Sequence, residues 1–142
     1  MQESDLPALI EDHLVEGRVS SRIPHVSVTG HHVFVCVHAA RDMRSGVAGP
    51  PLAEAFQATL KARGLSAQAT VRRTSHVGGH KYAGNVLIFP SGDWYGYVTP
   101  GDVVRIVDQH IGAGEIVRGL WRGRMGLTPE DQLRMVDSGL TL

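Results

Sequence analysis

Two histidines, His76 and His80, stand four residues apart in the block Ser75-His76-Val77-Gly78-Gly79-His80-Lys81-Tyr82-Ala83-Gly84-Asn85. On a helix that spacing puts both imidazoles on one face, as at a zinc site. Gly78 and Gly79 argue against a helix, because two glycines in mid-helix cost about 2 kcal/mol relative to alanine. The block therefore reads as a loop whose glycines let the backbone approach a guest closely and leave N–H groups free to point at it. A guest that accepts hydrogen bonds and binds imidazole is a metal–sulfide cluster or a metal-bound anion. A glycine-rich turn whose histidines cap strands or face water fits the same residues.

The second chemical feature is Cys36, the one cysteine, followed by His38, Arg41, Asp42, Arg44 and Ser45. At the end of a strand, where α/β proteins place their chemistry, it suits a thiolate ligand or nucleophile. Arg41 and Arg44 would favour thiolate over thiol. A small apolar core residue, as free cysteine often is, fits equally. The remaining histidines, His13, His25, His31, His32 and His110, are scattered and read as structural or solvated. Trp94 and Trp121 read as core or rim aromatics. No phosphate-binding glycine loop and no nucleophile-elbow sequence is present.

Positioning these groups falls to the elements around them. Residues 4–16 carry Leu6, Leu9, Ile10 and Leu14 at helical spacing, with Ser4 as cap. The polar stretch that follows holds at most a short strand at 25–28. Residues 31–38 form a β-branched and aromatic run that reads as a buried central strand. A loop is expected over 39–51, then a helix over 52–63 opened by Pro50-Pro51 and closed by Gly64. Strands follow at 67–74 and 85–90. A turn at 91–93 returns the chain as a hairpin strand at 94–98. Thr99-Pro100-Gly101-Asp102 starts a helix that buries Val103, Ile106, Val107 and Ile111, and a short helix follows at 130–136. The succession strand, helix, strand, hairpin, helix is that of an α/β thioredoxin-like fold, a central mixed sheet with helices on both faces.

The 142 residues fit one domain, and 42% hydrophobic with 20% charged residues is the balance of a globular chain. Fourteen basic and fourteen acidic residues cancel. A net charge of zero argues against general nucleic-acid binding, which needs a basic excess. A single cysteine excludes an internal disulfide framework. No run approaches the roughly 20 apolar residues of a membrane span, and the first 21 residues lack a secretory pattern, so a cytoplasmic location is expected.

Several blocks in order resemble the sucrase/ferredoxin-like family. They are Cys36-Val37-His38 with Arg41-Asp42-x-Arg44-x-Gly46, then Gly49-Pro50-x-Leu52, then the block from Ser75 to Asn85. Gly92-Asp93-Trp94-Tyr95-Gly96 with Thr99-Pro100, and Leu120-Trp121-Arg122-Gly123-Arg124-Met125-Gly126-Leu127, complete the set. The resemblance covers residues 33–132. It implies a thioredoxin-like ferredoxin domain over 31–142, with 1–30 as an N-terminal helical or irregular extension.

It also implies a [2Fe-2S] cluster whose ligand positions here are Cys36, Ser45, His76 and His80, with Gly78 and Gly79 lining it. The family has cysteine at position 45; this chain has serine. Ser45 ligates iron through oxygen, a harder and rarer donor than thiolate; or it weakens or abolishes the site; or Cys36, His76 and His80 hold a mononuclear metal instead. Imidazole ligation raises a cluster's potential and makes it depend on pH. The role implied is one-electron transfer with a redox partner protein, as a carrier rather than an enzyme, with homodimerisation left open. The rival functions are a metal-free thiol oxidoreductase using Cys36 and a cofactor-free partner-binding domain.

Overall fold

A computed structural model describes residues 2–39 and 43–138, with the side chains of 136–138 excepted. Five strands form one mixed sheet in the order β2-β1-β3-β4-β5: β1 His31–Cys36, β2 Ala69–Thr74, β3 Val86–Phe89, β4 Asp93–Tyr95 and β5 Trp121–Arg124. β1 runs parallel to β2 and antiparallel to β3, and the remaining pairs are antiparallel. Helix α2, Met43–Ala62, makes the crossover between the two parallel strands, as parallel pairing requires. The expected succession of strand, helix, strand, hairpin and helix is the observed one.

The pleat divides the sheet cleanly. Val33 and Val35 of β1 share a face with Ile88 and Val86 of β3, their partners in register. All four are fully buried, under Leu52, Phe56 and Leu60 of α2 and Val103, Ile106, Val107 and Ile111. Each such side chain stabilises the fold by about 1.5–3 kcal/mol through burial. The last four lie on α3, Val103–Ile106, and the wider turns that continue it over Val107–Gly112. The start of that helix is as expected: Thr99 N–H and Oγ1–H both donate to Asp102 Oδ2, at 3.0 and 2.6 Å. Helix α4 spans Pro129–Ser138, longer than 130–136, and Thr128 Oγ1 accepts from Asp131 N–H at its start.

The stretch 39–51 departs from its loop reading. From Met43 onward it is helix, and Pro50 and Pro51 lie inside α2 rather than at its head. The prolines deprive the Gly46 and Val47 carbonyls of intrahelical donors. The glycines that looked like loop residues serve close packing. A Cβ on Gly49 would stand 2.2 Å from the Cys36 carbonyl oxygen, and one on Gly46 would stand 2.4 Å from Ala39 Cβ.

The segment 25–28 forms no strand. β1 is already flanked by β2 and β3, leaving no open edge beside it. Conversely, residues 121–124, where the sequence pattern points to no element, pair with β4 as β5.

The β4–β5 pairing is pinned by a buried polar network. Asp93, expected in a turn, opens β4 and is wholly buried. Trp121 Nε1–H donates to its Oδ1 at 2.7 Å, and Arg124 donates to both oxygens at 3.1 and 3.0 Å. Burial alone pushes the Asp93 carboxyl up, but hydrogen bonds from Arg124, Ser91 and Trp121 outweigh it and hold the carboxyl below its ordinary range. His110, also wholly buried, shares a 2.8 Å hydrogen bond with Tyr95 Oη through Nδ1. Desolvation drives its imidazole down to about 4, against the pull of Asp93.

At the N-terminus, a turn at Glu3–Asp5 leads into α1, Leu6–Leu9, and a wider helical turn at Ile10–Val15. Asp5 Oδ2 accepts from Gln2 N–H, so Gln2 rather than Ser4 takes the cap position. Leu6, Ile10 and Leu14 of the expected apolar stripe are exposed. The segment is held by Asp12, whose carboxylate bonds Arg22 at 3.0 and 2.6 Å and Ser20 at 2.5 Å and is drawn down to about 2 by them. No helix among the described residues is long and apolar enough to cross a membrane.

Candidate metal centre

Cys36 ends β1, the strand between β2 and β3. Its register partner on β2 is Thr74, and its N–H donates to Asn85 O, just before β3, at 3.0 Å. The block 75–85 therefore begins on one side of β1 and finishes on the other. It has to pass over the end of β1, where Cys36 lies. α2 supplies the third wall: its first turns, which carry Ser45, press Gly46 and Gly49 against residues 36–39. A cleft of about 430 Å³ separates Met43, Arg44, Val47 and Ala48 of α2 from Lys81 and Ala83. The elements bearing Cys36, Ser45, His76 and His80 thus gather at one end of the sheet.

The loop is shaped for close approach. Gly78 and Gly79 have φ of 86° and 60°, and His76 sits at φ 57°, a left-handed conformation that costs a non-glycine residue roughly 1–2 kcal/mol. Asn85, fully buried, holds the turn by donating from Nδ2 to the Gly78 and Gly79 carbonyls at 3.2 and 3.0 Å. Trp94 Nε1–H donates to Asn85 Oδ1 at 3.4 Å. The N–H groups of 76–79 reach no backbone carbonyl of the described residues.

The donors differ in setting. Cys36 is 2% exposed and its thiol is free. Ser45 is 1% exposed, and its hydroxyl has no hydrogen-bond partner. A buried hydroxyl left unpaired costs about 1–3 kcal/mol, so such atoms are rare without a reason. His80 opens a single turn, His80–Tyr82, and is half-buried.

His76 is exposed, and its Nδ1 lies 2.9 Å from Ser75 Oγ. Its ring lies 4.0 Å, centroid to centroid, from that of His38. No three Cys, His, Asp or Glu side chains among the described residues close on a common point. The elements converge; the side chains of Cys36, His76 and His80 do not meet. His38 enters the site unforeseen as a partner of His76, and its one signal in the sequence is its place two residues beyond Cys36. Arg41 and Asp42 lie outside the described residues.

The family model described as sucrase/ferredoxin-like matches residues 1–123. The chain belongs to the sucrase/ferredoxin-like family. The match reaches back to the first residues, where the sequence offers no motif.

Among curated relatives, an altered inheritance of mitochondria protein 32 from Meyerozyma guilliermondii is 44% identical over 99 residues, covering 68% of this chain and 35% of that protein. The chain thus spans about a third of the length of the first such relatives. A 2Fe-2S ferredoxin from Clostridium pasteurianum is 34% identical over 95 residues, covering 63% of this chain and 93% of that protein. A thioredoxin-like [2Fe-2S] ferredoxin from Aquifex aeolicus superposes with a TM-score of 0.62 at 27% identity, covering 72% of this chain and 97% of that one. A cysteine-to-serine variant of the Aquifex protein superposes at 0.58, with 28% identity, covering 64% of this chain and 96% of that one. The fold of this family member is the thioredoxin-like ferredoxin fold, as its sequence blocks imply.

Proposed function

We propose that this chain is a one-electron carrier whose [2Fe-2S] cluster is held by Cys36, Ser45, His76 and His80. The observation that carries the reading is the Ser45 hydroxyl, sealed from solvent with no protein partner, on the turn pressed against the strand end that bears Cys36. A first-row metal ion is a guest that would satisfy that oxygen. The donor set fits in kind: one thiol and two imidazoles suit an iron–sulfur guest; the neutral imidazoles would make it less negative than an all-thiolate site, and oxygen at position 45 would make it harder. When bound, such a cluster supplies reversible one-electron transfer.

The chain's own residues do the rest. Asn85 fixes the loop carbonyls, and the N–H groups of 76–79, which reach no backbone carbonyl of the described residues, would be available to bond sulfide. Gly46 and Gly49 hold the strand end and the Ser45 turn in register. His76 and His80, near the surface, give a path for exchange of electrons and protons with a partner. The Clostridium and Aquifex relatives are [2Fe-2S] ferredoxins by name, which supports the same cofactor here. The partner is a redox protein, and residues 1–30 form an extension to the 31–142 carrier domain.

The test is a visible spectrum of the protein as isolated, with iron and sulfide assays, on the parent and on Ser45→Cys. Absorption that bleaches on reduction, with more iron retained in the cysteine variant, supports the assignment. Equal iron in the two proteins removes position 45 from the ligand set. A colourless protein with a reactive thiol favours the metal-free oxidoreductase.

A further inference from the structure

A second cleft, of about 300 Å³, opens beside the candidate metal centre and is lined by Gly79, Tyr82, Trp94, Arg122, Met125 and Gln132. Its size falls in the range of small-ligand sites. Two bare backbone positions keep it open. A Cβ on Gly79 would stand 3.3 Å from Tyr82 Cδ2 and 3.5 Å from Trp94 Cζ2, between the two rings. Gly123, at φ 140°, also lines the cleft, and a Cβ there would collide with Gln132 Oε1 at 2.0 Å.

The cation in this cleft has an unusual seat. The Arg122 guanidinium carbon lies 5.1 Å from the Tyr82 ring centre and 5.0 Å from that of Tyr97. The two tyrosine rings meet edge-on at 5.3 Å. Gly96 permits this arrangement, since a Cβ there would stand 2.9 Å from Tyr82 Cβ and 3.2 Å from Arg122 Cγ. Lys81 Nζ lies 4.8 Å from the same Tyr82 ring centre.

Arg124, also at the cleft, is neutralised by Asp93. Arg122 has no carboxylate within ion-pair reach among the described residues. A guanidinium held in place by aromatic faces, with no carboxylate partner and its donors exposed, is suited to an anion. The walls beside it are flat, aromatic and thioether, the surfaces on which ring systems stack.

We infer that this cleft binds a planar aromatic molecule bearing an anionic group, with the ring against Trp94 and Tyr82 and the anion on Arg122. The inference holds whether or not the metal centre is loaded.

Flavin mononucleotide is a suitable probe: a flat ring system with a phosphate. Riboflavin is the same ring without the charge. Titration of each into the 142-residue chain as isolated is followed by quenching of flavin fluorescence. Saturable binding of flavin mononucleotide, at least tenfold tighter than riboflavin, is expected, because a charge-assisted contact to guanidinium is lost without the phosphate. Arg122→Gln, at an exposed position, should weaken flavin mononucleotide about tenfold and leave riboflavin unchanged. Arg105→Gln, exposed on α3 and outside the cleft, should change neither. Thermal unfolding confirms that both variants are folded. No saturation up to about 1 mM, equal affinity for the two flavins, or unaltered binding in Arg122→Gln would overturn the inference.

Discussion

Removing the Ser45 hydroxyl should have opposite effects on the empty and the loaded protein. The Oγ atom is buried and has no protein partner. Its desolvation costs about 1–3 kcal/mol, none of it returned by a hydrogen bond. Ser45→Ala abolishes that cost. Ser45 lies in the first turn of α2, where alanine's better helix propensity adds a few tenths of a kcal/mol. Against this stands one lost heavy atom in a packed site, worth somewhat under about 1 kcal/mol.

The balance favours the variant by about 1 kcal/mol. For a chain of 142 residues that raises the melting temperature by roughly 3–5 °C. The assay is thermal unfolding by circular dichroism in excess chelator, then after reconstitution with iron and sulfide under reducing, anaerobic conditions. In chelator the alanine variant should melt higher. After reconstitution the parent should gain stability by ligand linkage, and the variant should gain less. A variant that melts lower than the parent in chelator would show that the hydroxyl has a stabilising protein partner. The reasoning from an orphaned oxygen to a metal would then fail.

Other perturbations read the frame around the site. His110 is neutral in the fold, with its imidazole lowered to about 4 by desolvation. Its contribution to stability is therefore full above about pH 6.5 and is lost as pH falls through about 4. The loss amounts to about 3 kcal/mol, and urea unfolding across this window should show a shallower slope in His110→Gln. Asp93→Asn should destabilise by about 3–5 kcal/mol, because it leaves Arg124 without its buried counter-charge; chemical unfolding measures it, and a loss below about 1 kcal/mol would mean that Arg124 reaches solvent. Gly49→Ala places a methyl 2.2 Å from the Cys36 carbonyl oxygen and should cost at least about 3 kcal/mol, with loss of iron binding. His38→Ala should alter the visible spectrum of loaded protein, because the His38 ring lies 4.0 Å from that of His76; an unchanged spectrum would remove His38 from the centre's surroundings.

Periodicity made the central strand, the crossover and the hairpin legible, because Val33, Val35, Val86 and Ile88 alternate as a buried sheet face demands. The Thr99 helix was legible from its cap. What stayed hidden was decided by tertiary packing. Gly46, Gly49 and the two prolines carry every local mark of a loop, yet they lie in a helix, and the two glycines are there because residues 36–39 leave no room for side chains. Asp93 has the composition of a turn, and its role appears only when Trp121 and Arg124 arrive from about 30 residues away. The β5 stretch, Trp-Arg-Gly-Arg, has too little apolar alternation to announce a strand. At the candidate centre the donor types were readable from the sequence. The unpaired state of the Ser45 oxygen and the turning of His76 onto His38 were not, since both depend on neighbours distant in the chain.

The close seating of α2 on residues 36–39 separates two jobs that a binding site often combines. Bare backbone at positions 46 and 49 sets the close approach at this corner, and the side chain at position 45 takes no part in that contact. If position 45 does face a metal guest, as proposed, exchange of sulfur for oxygen there would leave the scaffold in place and alter only the electronic character of the guest. On that reading, such an architecture would let redox behaviour evolve one atom at a time.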